Sequence, residues 1–119
     1  MMKTTIKATN LKLTLEITKA IKEKISVLDK LMPGIRTPVE ARVEVALETR
    51  HHQKGEIYYA EANLKVLGEI VRAEARADNI FKAISAVRDE LQELLEKYKK
   101  KRIAKRERAQ RALKEKLES

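Results

Sequence analysis

Residues 97–116 hold eleven basic side chains and only two acids, Glu107 and Glu115. That density far exceeds what solubility requires. The chemistry it suits is binding to a polyanion, whose phosphates release counterions as they are neutralised. The blander alternative is a solvated charge run. Insertion into a membrane surface would need a broad apolar face, and here only Ile103, Leu113 and Leu117 are large and apolar. The only two histidines, His51 and His52, are adjacent in the polar stretch ETRHHQKGE. Neighbouring imidazoles share a metal poorly, and Glu48 and Glu56 merely flank them. A histidine pair can serve acid–base cleavage of RNA, but a polar contact to RNA is the simpler reading, with Arg50, His51 and Lys54 as its members. Gly34, Gly55 and Gly68 stand alone, without the spacing of a phosphate-cradling loop. No cysteine is present, which excludes disulfide scaffolds, thiolate zinc sites and thiol catalysis. No serine has a credible histidine and acid set. The residues point to a binding protein, with no catalytic group, no metal site and no cofactor.

The rest of the chain must position those cations. At 119 residues it supports one domain with one modest core. The first 96 residues hold 16 basic and 15 acidic side chains, so the excess charge belongs almost wholly to the terminal segment. No apolar run approaches the length of about 18 residues that a membrane span requires. The start, MMKTTIKATN, lacks the long apolar stretch of a secretory signal, so a cytosolic location is expected. Four aromatic residues (Tyr58, Tyr59, Phe81, Tyr98) are too few for a base-stacking platform.

Hydrophobic periodicity predicts six elements. KTTIKA reads as a short strand. Thr14 is placed to cap a helix whose apolar stripe is Ile17, Ala20, Ile21, Ile25, Leu28 and Met32, stopped by Pro33-Gly34. Three alternating stretches follow: Val39–Glu48, Ile57–Val66 and, after a tight turn at Leu67-Gly68-Glu69, Ile70–Ala77. Asp78 or Asn79 caps a second helix with the stripe Ile80, Ile84, Val87, Leu91, Leu94, Leu95 and Tyr98. The order β-α-β-β-β-α predicts an α+β two-layer sandwich, two helices on one face of a four-stranded sheet. Its first crossover is expected to be right-handed, with the first two strands parallel if they are neighbours. The other sheet face is left wet, and Arg42, Glu44, Glu61, Lys65, Arg72 and Glu74 are expected to pair across strands. Residues 1–98 form the domain. Residues 99–119 are expected to extend the second helix, project and fray, since they have no face to bury.

In this order, LTLEITKAIKEKISVLDKLM, KGEIYYAEANLKVLGEIVRAEA and ADNIFKAI resemble the ribosome hibernation-promoting factors, the ribosome-associated inhibitor proteins of bacteria and plastids. The resemblance spans about residues 3–101. ADNIFKAI is similar to the family signature D-M-Y-x-A-I, with Ile80, Phe81, Ala83 and Ile84 on its apolar positions and Asn79 in place of the usual Asp. It implies a domain that binds the small ribosomal subunit and its rRNA in the mRNA channel, across the tRNA sites, and blocks initiation. Members with a second, C-terminal dimerisation domain pair ribosomes, and this chain looks like a short form.

By position, the basic contacts fall on Lys22, Lys24 and Lys30 in the first helix region, and on Lys97 and Lys101 in the second. Lys99, Lys100, Arg102, Lys105 and Arg106 of the terminal segment join them. The chain departs from the family where Asp89, Glu90, Glu93 and Glu96 stand on a helix face that is commonly basic, and in its strongly basic end. The partner expected is the small subunit and its rRNA, with no membrane and no small-molecule substrate, and a monomer off the ribosome. The alternatives are a general structured-RNA-binding module or RNA chaperone, and an assembly protein that pairs through its last helix.

Overall fold

A computed structural model describes residues 3–31, 40–48, 55–66 and 68–118. The elements are β1 (Lys3–Thr9), α1 (Leu15–Asp29), β2 (Glu40–Glu48), β3 (Ile57–Val66), β4 (Glu69–Ala77) and α2 (Ile80–Glu118). They form the expected α+β arrangement, a four-stranded sheet in the order β1-β2-β3-β4 with the helices packed on one side. β1 runs parallel to β2, and the other neighbours are antiparallel.

Local chemistry sets the helix starts. Asn10, at φ +54°, turns the chain out of β1 in a backbone conformation that asparagine tolerates better than most residues. Thr14 then caps α1: the Ile17 N–H donates to its hydroxyl oxygen at 3.2 Å. At α2, Asn79 caps and Asp78 does not. The Phe81 N–H donates to Asn79 Oδ1 at 2.7 Å, whereas Asp78 pairs with Lys82 at 3.1 Å. α1 closes at Asp29, so Lys30 stands just past its end. Met32, the Pro33-Gly34 stop and Val39 lie outside the described residues, as does Leu67 of the β3–β4 turn. Gly68 in that turn has φ +84°, which a side chain would strain.

The core lies between the helices and the sheet. Ile17, Ile21, Ile25 and Leu28 of α1 and Ile80, Ile84, Val87, Leu91 and Leu95 of α2 are buried against Val43, Val45, Leu64, Val66 and the small residues Ala41, Ala60, Ala62 and Ala73. Alanines at these strand positions let the helices approach the sheet closely. Ala20 and Leu94 flank the stripes and are half-buried.

Register explains the wet face. It places Glu44 opposite Glu61 and Glu61 opposite Glu74, three carboxylates in a row across β2, β3 and β4. Like charges directly opposite are destabilising unless bridged. Arg72 bridges two of them, at 2.9 Å from Glu61 and 3.2 Å from Glu74. The Tyr59 hydroxyl lies within hydrogen-bond distance of both, at 2.7 Å from Glu61 Oε2 and 2.9 Å from Glu74 Oε2. Asn63 donates to Glu61 at 3.1 Å, and Arg76 lies over the Tyr59 ring while pairing with Glu48. Burial and these carboxylates hold the Tyr59 phenol well above its ordinary range. The Tyr59 hydroxyl, and then Asn63, hold the Glu61 carboxyl below its ordinary value. Of the expected chequer, Arg42 and Lys65 make no ion pair among the described residues.

Tyr59→Phe is therefore expected to lower the unfolding free energy by about 1–2 kcal/mol in urea titration at neutral pH, since its hydrogen bonds go to charged groups. Glu61 binds its proton less readily folded than unfolded, so its contribution is complete above the ordinary carboxylate pKa of 4.5 and is lost as pH falls through the lower native value. Glu61→Gln should flatten the acid side of the stability curve. An unchanged acid limb would contradict this role.

Candidate nucleic-acid interface

The interface is built from two helices that run the same way. α1 leaves the carboxyl end of β1 and returns to the amino end of β2, which lies beside the amino end of β1, Lys3 opposite Glu40. α2 leaves the carboxyl end of β4, where Ala77 pairs with Tyr58 and Tyr58 with Leu47 near the end of β2. Both helices therefore point toward the end of the sheet that carries the β3–β4 turn. There α1 stops and α2 continues. Its 39 residues span about 58 Å at the α-helical rise, and the molecule measures 69 × 30 × 18 Å. Every residue from Lys101 to Glu118 is exposed. This overhang stays helical because it contains no Gly or Pro and is rich in Lys, Arg, Ala, Leu and Glu, all strong helix formers.

The sequence-predicted cations do not share one face. On α1, Lys22 and Lys24 are two residues apart and so point to opposite flanks, Lys22 exposed and Lys24 half-buried. Lys22 and Lys30 lie instead on the outer face with Lys19, which the expected contact set omits. The steps 19, 22, 26 and 30 were a readable signal for that grouping.

On α2 the structure brings Lys101, Arg102, Lys105 and Arg106 together. With Tyr98, Ala109 and Glu69 of β4 they line an open groove of about 500 Å³ beneath the overhang, where the helix passes the end of the sheet. The Arg102 guanidinium lies 5.9 Å from the centre of the Tyr98 ring, near the limit of a cation–π contact. Lys97, Lys99 and Lys100 do not line this groove, and by helical period Lys100 points directly away from it. Arg50, His51 and Lys54 lie outside the described residues. No group of three or more metal-ligating side chains is found among the described residues.

The acids are as ordered as the cations. Asp89, Glu93, Glu96, Glu107 and Glu118 follow one another at steps of four, three, eleven and eleven, all close to whole turns, on the side of α2 opposite the apolar stripe. Among the described residues no ion pair involves Glu90, Glu93 or Glu96, and none involves the ten cations from Lys97 to Lys114. Like-charge neighbours at i and i+4, such as Lys101 with Lys105 and Arg102 with Arg106, each cost a helix a few tenths of a kcal/mol. An anion laid along them would remove that repulsion.

A four-stranded sheet with two codirectional helices on one face and a cationic overhang defines an α+β domain built to present basic side chains at one end. The chain belongs to the family described as Sigma 54 modulation protein / S30EA ribosomal protein, whose model matches residues 4–103. This is the family group that the helix and hairpin motifs resemble. The ribosome hibernation promotion factor of a Picosynechococcus species is 28% identical over 105 residues, covering 88% of this chain and 53% of that protein. The chain thus spans about half the length of this curated relative. Among solved structures, the N-terminal domain of Thermus thermophilus Protein Y is similar in fold, with a TM-score of 0.68 and 22% identity over 81% of this chain and 98% of that one. A ribosomal subunit interface protein from Coxiella burnetii has a TM-score of 0.57 and 20% identity over 83% of this chain and 98% of its own. The family match ends at residue 103, so most of the overhang lies beyond it.

Because the apolar stripe ends at Tyr98, a chain truncated after Lys101 is expected to keep the domain's cooperative thermal transition within a few degrees. The full chain should show, in addition, a gradual early loss of helical circular dichroism that the truncated chain lacks. Loss of the cooperative transition on truncation would show that the overhang is part of the folding unit.

Proposed function

We propose that this chain is a ribosome-binding hibernation factor, acting as a binding protein and not as an enzyme. It lodges in the mRNA channel of the small subunit, across the sites that tRNA uses, and blocks initiation by occupying them. The observation that carries this reading is the pairing of a family domain with unpaired cations gathered at one end of the molecule. The relatives' names point to the ribosome, and the charge supplies the physical means, since rRNA phosphates neutralise lysine and arginine with release of counterions. The contacts are made by Lys22 and Lys30 of the α1 region, with Lys19 beside them, and by Lys97, Lys101, Arg102, Lys105 and Arg106 of α2. Arg50, His51 and Lys54 add a further contact. The factor works in the cytoplasm as a monomer until it meets the subunit, without a small-molecule ligand. Among the described residues no helix is long and apolar enough to cross a membrane.

The near-neutral balance of the first 96 residues favours a second reading, a general structured-RNA-binding module or RNA chaperone, because charge on a free-standing helix binds without demanding one partner. Competition separates the two. In sedimentation with purified small subunits at low salt, the chain is expected to pellet with them, and an equal mass of duplex RNA should not displace it. Release should grow steeply as salt rises, with each phosphate contact adding about 0.7–0.9 to the slope of log affinity against log salt. Absence from the pellet at low salt would overturn ribosome binding, and full displacement by duplex RNA would favour the general module.

A further inference from the structure

The apolar stripe of α2 ends at Tyr98, but the line of side chains it follows continues with other chemistry. Leu91, Leu95 and Tyr98 are followed at the same steps of four and three by Arg102, Lys105, Ala109, Ala112 and Lys116. In the domain this line meets the sheet. Beyond Tyr98 the sheet has ended, and the same line overlooks open space beside Glu69, where the groove lies. The opposite line carries Asp89, Glu93 and Glu96 within the domain, and beyond Tyr98 it mixes Glu107 and Glu118 with Lys100, Arg111 and Lys114. The overhang is therefore polar in a way its composition conceals, with cations and no acid on its inner half and every acid on its outer half.

We infer that the inner line of the overhang seats the phosphodiester backbone of an RNA strand in the groove beneath it, with the outer half, which holds every acid of the overhang, turned away from the phosphates. Four features support a strand of RNA as occupant. Lys101 and Lys105, like Arg102 and Arg106, sit one turn apart, about 6 Å along the axis, so they offer a row of charge and not a single point. The two arginines present planar donor forks suited to phosphate oxygens. Ala109 and Ala112 leave room for the backbone to approach the helix. Tyr98 and Arg102 together give a flat edge on which an unpaired base can stack. Glu69 stands on the groove's rim as the one carboxylate there, and it marks where the strand must leave. This proposal deepens the ribosome-binding reading and rests on it only in taking RNA as the polyanion.

The test uses the full chain and two double variants of equal charge, both in exposed positions: Arg102→Gln with Lys105→Gln on the inner line, and Arg111→Gln with Lys114→Gln on the outer. Probes are a fluorescent 12-nucleotide oligouridylate, polyglutamate of matched charge, and purified small subunits, each titrated over a salt series. Circular dichroism confirms that both variants keep the helix. The inner pair should weaken oligouridylate binding by about tenfold or more at low salt and reduce its salt slope by about 1.4, two contacts at 0.7 each. The outer pair should change affinity less than about twofold with the slope unaltered. Glu69→Gln should tighten binding. Equal losses from both pairs would overturn the groove in favour of diffuse polycation binding, and polyglutamate binding as tightly as the oligonucleotide would overturn RNA as its occupant. If the unaltered chain binds subunits and the two pairs behave alike, the groove fails and the ribosome reading stands. If oligouridylate binding depends on the inner pair while subunits are not bound, the groove stands and the ribosome reading fails.

Discussion

The line of side chains from Ile80 to Tyr98 fixes α2 to the sheet, and the position of its end determines how the molecule presents charge. Up to Tyr98 the line is apolar and buried, so the helix is held at a defined angle and rotation by the core it completes. Past Tyr98 the helix keeps that rotation but has nothing beneath it, and the same side of the cylinder carries Arg102 and Lys105. A rigid domain thus orients a segment that buries no face of its own. Had the stripe ended a turn earlier or later, the groove beside Glu69 would face elsewhere or close against the sheet.

The wet face of the sheet serves that same rigidity. Three glutamates aligned by strand register would push β2, β3 and β4 apart, and Arg72 with the Tyr59 hydroxyl ties two of them, Glu61 and Glu74, into a bonded network. This network engages Arg72 and Arg76 with the domain's own carboxylates, while Arg42 and Lys65 of the same face make no ion pair among the described residues. The densest group of cations is that of the overhang, past the end of the sheet with the β3–β4 turn. A nearly neutral domain and a basic end are consistent parts of one charge distribution.

Much of this was legible in the sequence because periodicity reports burial directly. The alternation of two in Ala41–Leu47 and Tyr58–Val66, and the three–four spacing of Ile17 to Leu28, gave elements, faces and fold class. Thr14 announced its own helix start by chemistry. Pairings across strands were less accessible: a sequence shows glutamates on an outer face but not that register sets Glu61 opposite both Glu44 and Glu74, and Tyr59 had no visible role. Positional transfer grouped Lys22 with Lys24, although two residues on a helix diverge, and passed over Lys19. The overhang was read by composition as a uniformly basic segment. Its division into an inner half with cations and no acid and an outer half that mixes both signs follows from the rotation that Leu91 and Leu95 impose, which is a property of the packed helix.

The central claim is that this chain meets ribosomal RNA with the α1 outer face and the inner line of the overhang, while the acidic line of α2 looks away. A cryo-electron microscopy map of the full chain bound to purified small subunits tests it most directly. The account predicts density in the mRNA channel with Lys19, Lys22, Arg102 and Lys105 against rRNA phosphates and Asp89, Glu93 and Glu96 facing solvent. Density with the Asp89–Glu96 side packed on phosphates, or with the overhang free of RNA, would contradict it.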